Sequence, residues 1–138
     1  FWDALDAVGI QAYFPVVRAT HGEVPSAADL DAGWVRILAD VRRVHASTGK
    51  PIVFTELGYD ASPTAAERPW ESGHGATGPQ VQRAALAAAL RAIDGEPAVR
   101  GAFLWKWFPG EAQRGDFRMS DPAVRTVIRG AWQRDAAP

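Results

Sequence analysis

The 138-residue sequence contains no cysteine. Disulfides, thiolate nucleophiles and cysteine-based zinc sites are therefore excluded, although a secreted enzyme need not have disulfides and the compartment stays open, secreted or cytoplasmic. No apolar run approaches the roughly 18 residues of a membrane span, and no signal peptide is visible. Charge of one sign is also lacking: 15 basic residues face 16 acidic ones, for a net charge of -1. The basic residues are nearly all Arg and are scattered, so neither a nucleic-acid nor a membrane-surface partner is expected. The three histidines, His21, His45 and His74, lie far apart and form no His-x-x-x-His pair, so no metal site is expected. Phosphate-binding glycine motifs are missing, and Ser62 and Ser72 lack a nucleophile-elbow context, so no cofactor is implied. An initiator Met is missing too, and the chain opens inside an amphipathic pattern, which reads as a truncation.

What is present is apolar and aromatic. Apolar residues make up 47% of the chain, enough for a core, and six are Trp. A buried indole needs a partner for its N–H, so Trp is a demanding filler. Several flat rings in a small domain suit either a sugar cleft or ordinary packing.

Three short apolar runs read as strands, near residues 8–14, 51–58 and 99–107. The first is stopped by Pro15 and the third by Pro109-Gly110. Helical spacing appears near 29–47, 79–94 and 120–134, and Phe1 to Ala7 reads as the tail of an earlier helix. Ser26 to Asp29 is a start signal for the first helix and Gly49 a stop; Pro79 opens the second, and Ser120 with Pro122 the third. His45 would lie on the surface of the first helix. Strands that alternate with helices, and that are apolar on both faces, predict parallel pairing with right-handed crossovers. Residues 60–78 form a long Ser-, Pro- and Gly-containing loop after the second strand, where α/β enzymes place their sites.

Glu56 is the sharpest chemical feature. It closes the apolar run Ile52-Val53-Phe54-Thr55-Glu56-Leu57-Gly58. Period-two alternation puts Ile52, Phe54 and Glu56 on one face and Val53, Thr55 and Leu57 on the other. A carboxylate at the end of a buried strand is costly unless it is paired, so it marks either an ion pair or a function. Tyr13 ends the first strand and either points inward to hydrogen-bond Glu56 or packs at the rim. Trp105 and Trp107 end the third strand on the face of Phe103, as a sugar platform or as core. Asp60 either binds a sugar hydroxyl or caps a turn, and His74 lies in the loop.

These blocks together, Val8-Gly9-Ile10-Gln11-Ala12-Tyr13-Phe14-Pro15, Lys50 to Tyr59 with its Thr-Glu-Leu-Gly-Tyr core, and Gly101 to Trp107, resemble glycoside hydrolase family 113. Pro69-Trp70 adds to the likeness. The resemblance implies an α/β fold, the C-terminal portion of a (β/α)₈ TIM barrel, with strands six to eight and their helices in a partial catalytic domain over residues 1–138. It implies a retaining hydrolase of β-linked mannan-like glycans, with Glu56 as nucleophile and Tyr13 orienting it. Trp105, Trp107, Trp70, Lys106 and Tyr59 are its candidate substrate-binding residues. The alternative is a non-catalytic carbohydrate-binding or degenerate barrel. In the clan the acid/base follows an Asn on strand four; this sequence has no Asn, so that group is expected in a missing N-terminal part. Glu23 and Glu111 carry no mark of a substitute. The expected partners are a carbohydrate and the remainder of the barrel, without which the fragment is expected to be inactive and marginally stable.

Overall fold

The apolar runs pair side by side. In a computed structural model, which describes residues 1–107 and 117–133, strands β1 (Val8–Gln11), β2 (Ile52–Leu57) and β3 (Val99–Leu104) form a parallel sheet in the order β1-β2-β3. Helix α1 (Ala27–Thr48) follows β1, α2 (Gly78–Asp94) follows β2, and α3 (Pro122–Trp132) follows β3. Only a 3₁₀ turn at Trp2–Ala4 precedes β1, and the chain is extended again at Leu5, so no longer helical tail is seen there.

The helix ends follow local chemistry. Ser26 caps α1, its hydroxyl accepting from the Asp29 N–H. His45 is half-buried, not a surface residue: its Nδ1 lies 2.8 Å from the Lys50 carbonyl, which the ring N–H satisfies. Helix α3 is capped by Asp121, whose carboxylate accepts from the Ala123 and Val124 N–H groups, with Pro122 at the first helical position. The cap is thus one residue later than the Ser120 signal. The described part of α3 ends before residue 134, which lies outside the described residues.

The core fills the space between the sheet and its helices. Ile52, Phe54 and Leu57 of β2 are fully buried, as are Leu30 and Trp34 of α1 and Val81, Ala85, Leu86, Ala89 and Leu90 of α2. Phe14, Trp34 and Phe54 form a ring cluster with centroids 6.0–6.2 Å apart. Burying a side chain such as Phe54 contributes roughly 1.5–3 kcal/mol. Where β3 begins, the buried Glu96 accepts from the Arg42 guanidinium of α1 and from the Ala98 N–H. Burial pushes its carboxyl up, but these donors and the nearby charge of Arg42 outweigh that and hold it below the usual carboxylate range.

One irregularity determines where Glu56 points. Ile10 pairs with Phe54, but the next residue, Gln11, pairs with Glu56, so Thr55 is an extra residue in β2. The bulge breaks the period-two alternation. Leu57 joins Ile52 and Phe54 on the helix face, and Glu56 is turned to the face of Gln11. The strict alternation read from the sequence, with Glu56 beside Phe54 and Leu57 opposite, is therefore incorrect beyond Phe54.

No helix among the described residues is long and apolar enough to cross a membrane.

Candidate active site

Glu56 stands at the C-terminal end of the central strand, half-buried, with a donor on each oxygen. The Tyr13 hydroxyl donates to Oε2 at 2.7 Å and the Gln11 Nε2 amide donates to Oε1 at 2.9 Å. Gln11 is the last residue of β1 and Tyr13 lies two residues further on, where alternate side chains point the same way. The backbone joins the same corner, since the Ala12 N–H donates to the Glu56 carbonyl at 2.7 Å. A carboxylate bonded through both oxygens is fixed in orientation. The Tyr13 phenol is pushed well above the ordinary tyrosine range, by burial first and then by the hydrogen bond and negative charge of Glu56. It therefore stays a protonated donor throughout the neutral range.

Gln11 is the member of this group that sequence reading missed. A glutamine near the end of a strand carries no signal by itself; its proximity to Glu56 depends on register across 45 residues.

The end of β3 brings the indoles alongside. The Trp105 N–H donates to the Leu57 carbonyl at 2.9 Å, placing Trp105 just beyond Glu56 on the neighbouring strand. The approach is possible only because residue 58 is Gly: a Cβ there would lie 1.9 Å from the Trp105 carbonyl oxygen. The Trp105 ring is partly exposed, with the Lys106 ammonium 5.4 Å from its centroid, in cation–π range. Lys106 in turn exchanges backbone bonds with the segment after β3: its N–H donates to the Phe117 carbonyl and its carbonyl accepts from the Met119 N–H. Trp107 is exposed at the same strand end.

Other candidates lie elsewhere. Tyr59 is fully buried behind the sheet, and burial pushes its phenol up. It offers no surface to a ligand, so the expectation that Tyr59 binds substrate does not hold. A residue that follows a strand end turns inward or outward according to the bulge, which the pattern of residue types does not reveal. Asp60 is also fully buried and accepts from the Gly73 N–H at 2.8 Å, so it closes a turn of the loop instead of facing a sugar. Trp70 is exposed in that loop, and His74 and Ser72 are exposed there too. The loop is tied to the segment after β1: the Val16 and Val17 N–H groups donate to the Ala66 carbonyl, and the Thr20 N–H donates to Glu67. Ser62 is buried, its hydroxyl 3.3 Å from that of Thr64. His21 and Glu23 are exposed on the loop after β1, away from any described contact with Glu56, and Glu111 lies outside the described residues. Among the described residues no three His, Asp or Glu side chains cluster in a way that would hold a metal.

Comparison with known proteins gives the following. The family model described as Glycoside Hydrolase Family 113 matches residues 1–121. Among solved structures, a GH113 β-1,4-mannanase complex superposes with a TM-score of 0.73 at 21% identity, covering 97% of this chain and 41% of that one. A GH113 β-mannanase from Alicyclobacillus acidocaldarius, in complex with ManMIm, gives 0.69 at 27% identity, covering 95% and 40%. A further GH113 β-1,4-mannanase structure gives 0.70 at 23% identity, covering 97% and 41%. This chain thus spans about two-fifths of the length of the structures it resembles. Among curated proteins none matches.

Proposed function

Because this chain belongs to glycoside hydrolase family 113, we propose that it carries the nucleophile side of a retaining glycosidase acting on β-linked mannan-like glycans, with β1, β2 and β3 as strands six, seven and eight of a (β/α)₈ barrel. The observation that carries this reading is Glu56, at the C-terminal end of the central strand, held through both oxygens by Tyr13 and Gln11. Enzymes of this barrel place their chemistry at that end of the strands. The solved structures of similar fold are described as mannanases, which supports the substrate class.

In this reading a Glu56 oxygen attacks the anomeric carbon of a bound sugar. The glycosidic C–O bond breaks, its electron pair passes to the leaving oxygen, and that oxygen takes a proton from a second carboxylic acid. Water, deprotonated by the same second group, then displaces Glu56 and releases the sugar. The second carboxyl lies about 5 Å from the first in retaining enzymes, and we assign it to a part of the barrel other than these 138 residues. Tyr13 and Gln11 fix the carboxylate so that an oxygen lone pair faces the sugar carbon. Trp105 supplies a flat face for the C–H side of the pyranose, opposite the face that Lys106 approaches; Trp107 and Trp70 line neighbouring subsites.

The test is Glu56→Gln in the complete enzyme. We expect loss of turnover on β-1,4-mannooligosaccharides with binding retained, measured by product release and by calorimetric titration. Unchanged turnover would leave only a sugar-binding role.

A further inference from the structure

We propose that Phe117, on the segment after β3, is a positioning residue for the nucleophile and acts through Tyr13; the proposal rests on the assignment of Glu56 above. Tyr13 lies past the last residue of β1, so the sheet ladder no longer fixes its backbone. Its ring is held by what it touches. One contact is the hydrogen bond from its hydroxyl to Glu56. Another is the Phe117 ring, which meets it edge-on, with centroids 6.0 Å apart and planes at 87°. An edge-to-face pair has a directional preference, so Phe117 restricts the tilt of the phenol as well as its depth.

Phe117 is itself anchored. Its carbonyl accepts from the Lys106 N–H at 2.9 Å, and two residues on the Met119 N–H donates to the Lys106 carbonyl at 3.1 Å. Met119 is fully buried, so the segment is pinned into the core immediately beyond the ring. Lys106 lies between Trp105 and Trp107. The same two backbone bonds therefore fix the indole strand end and the brace behind Tyr13. A sugar resting on Trp105 and the carboxylate that attacks it are referenced to one short stretch of backbone.

The proposal is tested by a double-mutant cycle in the complete enzyme, with kcat and KM measured on a β-1,4-mannooligosaccharide for Phe117→Leu, Tyr13→Phe and the pair, beside Glu56→Gln. Tyr13→Phe keeps the ring that Phe117 packs against and removes only the hydroxyl that the packing aims. We expect Phe117→Leu to lower kcat roughly 2- to 10-fold with little change in KM. In the Tyr13→Phe background the same substitution is expected to change kcat hardly at all, and Phe117→Tyr, which keeps the edge contact, to stay close to the parent. An equal loss from Phe117→Leu in both backgrounds, with Glu56→Gln inactive, would mean a merely structural role and would overturn this proposal alone. An active Glu56→Gln would overturn the site assignment and this proposal with it. If Phe117→Leu fails to fold, Phe117→Met, which fills the space without a ring, gives the same comparison.

Discussion

At the residue scale the proposed chemistry rests on one carboxylate and two donors. Glu56 was legible in the sequence because a charge ending an apolar strand demands an explanation, and Tyr13 because it closes the preceding apolar run before Pro15. Gln11 was not, since only register brings its amide to Oε1. The two donors are of unequal kind. The Tyr13 bond is the shorter and more buried, and the phenol stays protonated because burial and Glu56 both oppose its ionisation. Removing a hydrogen bond to a charged group costs about 1.5–3 kcal/mol. We therefore expect Tyr13→Phe to lower kcat/KM roughly 10- to 100-fold, and Gln11→Ala by less, because its bond is exposed and water can replace the amide. Steady-state kinetics on the complete enzyme decide this; a larger loss from Gln11→Ala than from Tyr13→Phe would reverse the ranking.

At the element scale, two features place the site. The bulge in β2 rotates Glu56 away from the helices, and Gly58 lets the end of β3 close against it. Neither was visible in the pattern of residue types: a bulge leaves no mark on a six-residue apolar strand, and the glycine reads as a turn residue until Trp105 is seen above it. Gly58→Ala would put a methyl 1.9 Å from the Trp105 carbonyl oxygen, so backbone must move. We expect a loss of roughly 1–3 kcal/mol of stability, read from a urea midpoint, together with weakened sugar binding. At the other end of the sheet, Glu96 ties β3 to α1 through Arg42. Its carboxyl is held below its unfolded value, so its stabilisation is fully present above about pH 4.3 and fades as pH falls through the lower folded value. Arg42 is 59% exposed, which screens the pair and keeps the loss on Arg42→Ala near 1 kcal/mol at pH 7. We expect that difference to shrink in urea melts at progressively lower acid pH.

At the scale of the whole molecule, one face of the sheet is packed and the other is open. Helices α1 and α2 cover the first, while Phe103 is 69% exposed and Trp107, just past the end of β3, 57% exposed. Large rings left in water mark a surface built to meet something else. In our reading that is the rest of a barrel and the sugar it encloses. We accordingly expect the 138-residue chain alone to bind a hydrophobic dye, to aggregate on heating and to release no sugar from mannan. A soluble monomer with a single cooperative thermal transition would contradict this.

By itself, the sequence determined the order of strands and helices, because apolar period and capping residues are local properties, and it singled out Glu56, because charge at a strand end is a local anomaly. Tertiary structure decided which way that charge faces, that Gln11 stands beside it, that Tyr59 is buried, and that Phe117 stands behind Tyr13. Those facts depend on pairing register and on contacts between residues 45 or more positions apart, and no local pattern encodes them.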